Sequence, residues 1–193
     1  FLVLDSAFAL YSRNYQAGTL FVADAFEGVL DESPTDRAAI GELEALYDEA
    51  RLIDKLLPDP QGSPISKASL ARLLGEAGPL SAYTSLKQLY RMAGANLRER
   101  KSGKYVGQTR IARTGRPLMR SILTQMALPL VKRGRLYGTW YHRKTEVEKM
   151  PGNKAMTATG RKVLKMIWGW YRSGSSFDER RVFTCAGEYR RAA

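Results

Sequence analysis

Apolar residues recur at helical spacing along most of the chain from Pro34 onward. Ser33 and Thr35 are suitable cap residues around Pro34, which is favourable in a first helical turn. A stripe with alternating spacings of four and three residues follows, formed by Ala39, Leu43, Leu46, Ala50, Ile53 and Leu57. The stripe predicts a helix stopped by Pro58 and Pro60. It suits a core helix and a coiled coil between subunits equally well.

The segment 58–64, PDPQGSP, is typical of a linker and predicts an internal boundary. Beyond it, a helix is expected over 67–74, closed by Gly75 or Gly78, and another over 85–93, closed by Gly94. This pair could be a helix–turn–helix hairpin that holds a nucleic-acid backbone, or a plain packing unit. The sequence favours neither.

Three further helices are expected in the second half of the chain. The first begins at Pro117, is bent or ended by Pro129 and is stopped at Gly134. The others span 136–149 and about 154–171, and the last of them is expected to end at Gly174. By contrast, 95–115 has no apolar period and predicts a loop or an irregular ribbon. Residues 1–31 are ambiguous. The predicted fold class is mostly α: a helical domain with a basic irregular loop, preceded by a coiled-coil-like helical arm.

Charge divides the chain at the same boundary. Residues 1–65 hold four basic and twelve acidic side chains, whereas 66–193 hold 27 basic and seven acidic ones, within a total net charge of +12. Fifteen Lys and Arg lie between Lys87 and Lys144, with Glu99 as the only acid. This concentration favours a nucleic-acid partner. An anionic membrane surface is less expected, because no basic helix with a broad apolar face is evident.

The 193 residues are enough for one domain with an arm, and 44% hydrophobic content is that of an ordinary globular protein. No apolar run approaches the length of a membrane span. A single cysteine, Cys185, suggests a reducing compartment. Because the sequence begins with Phe1 and has no signal-peptide pattern, we expect a fragment with its true N-terminus upstream.

Several chemistries lack the residues they need. One histidine and one cysteine cannot build a zinc site, and His142, beside Arg143 and Lys144, is more typical of a surface residue than of a general base. No phosphate-binding Gly-rich motif occurs. The basic half has too few acids for a two-metal nuclease site.

The basic loop around Ser102 is the strongest chemical candidate. Ser102 is surrounded by Arg98, Arg100, Lys101 and Lys104, which would ease formation of its alkoxide and offset charge on an attacked phosphate. Gly103 would let the backbone approach that phosphate. On composition alone, however, Ser102 is more readily a phosphate-contacting hydroxyl than a nucleophile.

An ordered set of motifs resembles the C-terminal transposase domain of the IS110 family of insertion-sequence transposases, the bridge-RNA-guided serine recombinases. The set covers about 65–185. It comprises a Leu-Leu-Gly-Glu-Ala-Gly segment at 73–78, a helix ending in Gly94, Ser102-Gly103 in a basic loop, a Gly-Arg-x-x-x-Arg helix start at 115–120, and a late Gly-x-Lys-Ala-Met…Arg-Lys-x-Leu helix at 152–164.

The resemblance implies that Ser102 is the nucleophile for DNA cleavage. It also implies that magnesium is bound by an N-terminal RuvC-like domain, which is absent here, so that no metal ligands or cofactor are assigned within these residues. A coiled coil precedes the transposase domain in that family, and 36–57 looks like its last part. The glycine-rich hairpin usual at the domain start reads Ser-Pro-Ile-Ser at 63–66, a departure from the pattern.

The resulting hypothesis divides the chain into an uncertain segment at 1–33, a coiled-coil-like helix at 34–60 and the transposase domain at 61–193. The implied partners are DNA, a structured guide RNA and a second copy of the chain, in a prokaryotic cytoplasm. Expected nucleic-acid contacts, besides the basic residues around Ser102, are Tyr105, Arg110, Arg113, Arg116 and Arg120. Arg116 and Arg120 are expected to share a helix face.

Two readings from other classes remain open. One is a non-catalytic basic nucleic-acid-binding module, or the inert remnant of a decayed mobile element. The other is a structural protein assembled through the helix at 34–60, which would dimerise without affinity for nucleic acid.

Overall fold

The computed structural model describes residues 34–98, 101–102, 105–106, 110–112 and 114–183. The ambiguous segment 1–33 and Cys185 lie outside these ranges. The helices are α1 (Pro34–Ile53), α2 (Lys67–Ala77), α3 (Leu86–Met92), α4 (Pro117–Leu130), α5 (Gly138–His142), α6 (Gly152–Ser173) and α7 (Glu179–Phe183). A 3₁₀ turn at Leu80–Ala82 follows α2, and a π turn at Arg143–Val147 follows α5. The predicted mostly α fold is confirmed.

The core forms where α4 packs on α6 and α2 packs between α1 and α4. Gly160 lets α6 approach α4 closely, because a Cβ at this position would lie 3.4 Å from the Leu123 Cβ atom. From α4 the core receives Met119, Ile122, Leu123, Met126 and Leu130, and from α6 it receives Val163, Leu164, Ile167 and Tyr171. These are apolar positions that helical periodicity places inward.

Helix α2 is a packing helix. It begins at Ser66, whose hydroxyl accepts a hydrogen bond from the Ser69 backbone N–H, and it ends at Gly78. All residues from Leu70 to Ala77 are buried, including Arg72 and Glu76. Helix α2 therefore packs within the core along most of its length.

Helix α1 ends earlier than its apolar stripe predicted. Leu43, Tyr47 and Ala50 are buried and α1 packs on α2, but Ile53 is 41% exposed. The Asp54 carboxylate accepts hydrogen bonds from the Leu56 N–H at 3.1 Å and from the Tyr171 hydroxyl at 3.0 Å. This side-chain turn ends the helix at Ile53, before either proline is reached.

The helix expected over 136–149 is present in two parts, because α5 passes into the π turn and Lys149 takes a positive φ of 52°. Helix α6, the last of the predicted helices, extends slightly beyond its predicted bounds. It ends, as expected, at Gly174, which has the left-handed conformation. Among the described residues, no helix combines the length and the apolar character of a transmembrane span.

Candidate nucleic-acid interface

The segment predicted as a loop or ribbon contains two short antiparallel strand pairs between α3 and α4, together termed the β ribbon. Strand β1 (Leu97–Arg98) pairs with β4 (Arg110–Ile111), and β2 (Lys101–Ser102) pairs with β3 (Tyr105–Val106). Both pairs are antiparallel, so the chain runs out along β1 and β2 and returns along β3 and β4. The irregular-ribbon prediction for this segment is confirmed.

Ser102 lies at the far end of this ribbon. Its backbone pairs directly with Tyr105, and only Gly103 and Lys104 connect the two. Ser102 therefore belongs to the strand pair that is farther, along the chain, from both α3 and α4. Gly103, Lys104, Arg100 and Arg113, all predicted contact residues, lie outside the described residues.

Two of the predicted cations face each other across the ribbon. Arg98 of β1 is the direct partner of Arg110 of β4, and both side chains are exposed. Directly opposed residues in an antiparallel pair project on the same side, so two positive charges are held side by side. Neither has a carboxylate partner within the described part of the chain.

The base of the ribbon is fixed to the helices by backbone hydrogen bonds and one arginine. The Ala112 N–H donates to the Asn96 carbonyl at 2.7 Å, and the Arg116 N–H donates to the Met92 carbonyl at 2.8 Å. Arg120 Nη1 donates to the carbonyls of Ala93 and Gly115, at 3.1 and 3.2 Å. The ribbon thus begins and ends on a rigid support.

Arg116 makes a different contact from the one expected for it. Arg116 was expected to lie on the same helix face as Arg120. It has an extended backbone and lies just before the first residue of α4. Its Nη1 group donates to the Glu76 carbonyl at 2.8 Å and lies 3.8 Å from the Glu76 carboxylate. About half of the Arg116 side chain remains exposed, so it can still reach a phosphate.

Glu76 is the buried partner of this arginine. Burial raises the pKa of the Glu76 carboxyl above its ordinary value, and the positive charge of Arg116 acts in the opposite direction. Arg72, one turn earlier on α2, donates from Nη1 to the Gln125 side-chain oxygen at 2.8 Å. These polar groups connect α2 to α4 beneath the ribbon.

Sequence reasoning missed one arginine near the ribbon. Arg161 of α6 stacks its guanidinium on the Tyr90 ring at 4.6 Å, and the Tyr90 hydroxyl donates to the Arg161 carbonyl at 3.0 Å. The two residues are distant in sequence and belong to different helices, so no local pattern connects them.

His142 lies in an ion-pair cluster of the helical surface. Its Nδ1 atom is 3.0 Å from a Glu146 carboxylate oxygen, which also accepts from Arg133 at 3.1 Å. In the described ranges, no three His, Cys, Asp or Glu side chains are grouped closely enough to hold a metal ion.

Comparison with known families gives one match, and no curated protein matches the chain. Residues 63–142 match the family described as Transposase IS116/IS110/IS902 family. The matched segment runs from just before α2 to the end of α5 and includes the entire ribbon. Members of such a family act in DNA transposition. The segment 63–142 is therefore similar to a transposase of the IS116/IS110/IS902 family, which supports the resemblance found in the sequence.

Proposed function

We propose that the β ribbon is the nucleic-acid-binding element of a serine-type DNA recombinase, with Ser102 as its nucleophile. The observation that carries this proposal is the direct pairing of Arg98 with Arg110. Like charges placed opposite each other destabilise a strand pair, and a bound polyanion removes that cost.

Ser102 would act at the tip of this positively charged ribbon. Its hydroxyl oxygen forms a bond to a DNA phosphorus while the bond from that phosphorus to one deoxyribose oxygen breaks. The proton lost by the serine is passed through solvent to the departing oxygen, which leaves as a free hydroxyl. A phosphoserine bond then joins protein and DNA until the hydroxyl of a new partner strand attacks the same phosphorus and releases the serine. The cations near Ser102 would stabilise the charge that develops on the phosphate.

The chain by itself is expected to bind nucleic acid without cutting it. The resemblance assigns magnesium to acidic residues of a separate domain, and the described residues offer no group of ligands for it. No step of the proposed reaction is therefore assigned to a metal within these residues. Substantial cleavage by this chain with magnesium alone would contradict the division of the site.

A guide RNA and self-association are further parts of the proposal. The ribbon and the basic half of the chain suit the phosphates of RNA as well as those of DNA. Self-association through α1 is supported by the apolar side chains at its end, since Leu52 and Leu56 are 79% and 51% exposed. The buried side of α1, however, is occupied by α2 of the same chain.

The experiment that separates a recombinase from a non-catalytic binding module is the Ser102→Ala variant. It would be joined to the acidic domain of an IS110-family transposase and supplied with magnesium, guide RNA and labelled DNA. We expect a covalent protein–DNA adduct with Ser102 and none with alanine, at equal DNA affinity. An adduct that persists in Ser102→Ala would assign the nucleophile to another residue.

A further inference from the structure

A cleft of about 360 Å³ lies between α4 and α6, where the β ribbon joins the helices. Its walls come from three parts of the fold: the ribbon base, the first half of α4 and the first half of α6. The lining residues are Ala95, Ile111, Arg120, Ser121, Leu123, Thr124, Thr157, Gly160 and Arg161. Among the described residues, this lining contains two arginines and three hydroxyl side chains and no carboxylate, which suits an anion.

Arg161 is held in this cleft mainly by stacking. Its guanidinium lies over the Tyr90 ring at 4.6 Å, and its Nε atom is buried with no hydrogen-bond acceptor among the described residues. A stacked guanidinium keeps its planar set of donors in one orientation, which is the geometry that a phosphate accepts. Arg161 is therefore positioned before any ligand arrives.

Arg120 brings the second guanidinium to the cleft from α4. Only its Nη1 atom is used in the hydrogen bonds to the Ala93 and Gly115 carbonyls. The same side chain thus links the cleft to the base of the ribbon. The hydroxyls of Thr124 and Thr157 donate to carbonyls of their own helices, so their oxygen atoms can still accept a hydrogen bond.

The cleft is distinct from the Arg98–Arg110 pair. Ile111 lines the cleft and follows Arg110 in β4, and neighbouring residues of a strand project to opposite faces. Ser102 is five residues beyond Leu97, the partner of Ile111, so the chain places it at most about 18 Å from the cleft edge. A strand in the cleft could therefore continue along the ribbon toward the serine.

We propose that this cleft binds a backbone phosphodiester of a nucleic-acid strand, with Arg161 and Arg120 as its cationic contacts. The inference rests on the proposed function of the ribbon, because it assumes that a nucleic acid approaches this side of the domain. The shared ligand chemistry is the phosphodiester, which either DNA or RNA can supply. The face of the ribbon that carries Ile111, opposite to the face of Arg98 and Arg110, would then also take part in binding.

The test compares Arg161→Gln with Arg172→Gln in the full 193-residue chain. Arg172 lies on the same helix, and its guanidinium lies over the Trp168 ring at 5.9 Å, but it is outside the cleft. Affinity for 20-nucleotide single strands of DNA and of RNA would be measured by fluorescence anisotropy across a salt series. We expect Arg161→Gln to weaken binding about five- to tenfold and to reduce the salt slope by about 0.7.

Thr157→Leu tests the cleft with no change of charge. The larger side chain would occupy part of the cleft, and we expect a comparable loss of affinity. If Arg161→Gln fails to fold, the affinity of Thr157→Leu tests whether the cleft binds nucleic acid. A loss with both strand types identifies the phosphodiester as the shared contact, and a loss with one type alone assigns the cleft to that nucleic acid.

The proposal is overturned if Arg161→Gln and Thr157→Leu, where folded, both bind as Arg172→Gln does. That result leaves the ribbon proposal intact as long as the unsubstituted chain binds. If the unsubstituted chain binds neither strand at moderate salt, the proposed function fails together with the cleft.

Discussion

Gly94 and Gly115 approach so closely that a Cβ atom built on Gly115 would lie 2.1 Å from the Gly94 backbone nitrogen. The contact is reciprocal, since a Cβ on Gly94 would lie 2.5 Å from the Gly115 nitrogen. Gly94 also has a positive φ of 63°, which side-chain-bearing residues rarely adopt. These two glycines bring the ends of the ribbon together where α3 stops and α4 is about to begin.

We expect Gly115→Ala to destabilise the fold by about 2–4 kcal/mol, because the added Cβ atom would lie 2.1 Å from the Gly94 nitrogen and 2.2 Å from the Met92 carbonyl oxygen. Urea unfolding would measure the effect. The control is Gly41→Ala in α1, where nothing lies within 4 Å of an added Cβ atom and alanine is the better helix former. Equal free energies of unfolding for the two variants would contradict the close contact.

Arg120 has a structural contribution that can be measured without nucleic acid. Its Nη1 group serves the carbonyls of Ala93 and Gly115, so Arg120→Gln should lower the free energy of unfolding by about 1–3 kcal/mol. Arg91→Gln is a suitable control, because Arg91 is exposed, and we expect a change within about 0.5 kcal/mol. If both variants unfold alike, Arg120 does not stabilise the ribbon base.

The facing Arg98 and Arg110 charges predict that removing one of them stabilises the free protein. Arg110→Gln should raise the free energy of unfolding by a few tenths of a kcal/mol at low salt. The gain should vanish near 1 M salt, because the Debye length is then only about 3 Å and the two exposed charges no longer repel each other appreciably. Chemical unfolding at the two salt concentrations checks this, and a loss of stability at low salt would contradict the repulsion.

Glu76 predicts a pH dependence. Because burial raises its pKa in the folded state above the ordinary 4.5, the folded protein holds this proton more tightly than the unfolded chain does. The stability contribution of Glu76 is therefore full below pH 4.5 and is lost as the pH rises through the raised pKa. Over that pH range, the unsubstituted chain should therefore lose stability relative to the Glu76→Gln variant, as measured by their free energies of unfolding.

The opposite trend would have a specific meaning. If the advantage of Glu76 over glutamine grew as the pH rose above 4.5, the ion pair with Arg116 would outweigh the cost of burying the charge. The Arg116 hydrogen bond to the Glu76 backbone carbonyl is present in both proteins, so it does not affect the comparison.

The elements predicted well from the sequence are those with local signals. Pro117 begins α4, because its ring fixes φ at a helical value. Gly78 and Gly174 end α2 and α6, because each takes a positive φ that stops the helix. Both effects act within one turn of the residue itself. The end of α1 was predicted too late. It depends on the Asp54 carboxylate and its bond with Tyr171, which is distant in sequence.

The candidate site divides in the same way. The basic ribbon was predictable, because its charge and its lack of apolar period are properties of the segment itself. The Arg98–Arg110 register and the stacking of Arg161 on Tyr90 were not, because each depends on how separate segments meet. The contact of Arg116 with Glu76 was also hidden, since nothing local marks Glu76 as buried.

The most direct test of the account is the affinity of the Arg98→Gln/Arg110→Gln double variant for single-stranded nucleic acid across a salt series. We predict a clear loss of affinity and a salt slope reduced by about 1.4, as expected for two lost phosphate contacts. Arg91→Gln/Arg172→Gln, which carries the same net charge, and Ser102→Ala should bind nearly as tightly as the unsubstituted chain. An unchanged slope in the ribbon variant would contradict the claim that this ribbon binds nucleic acid.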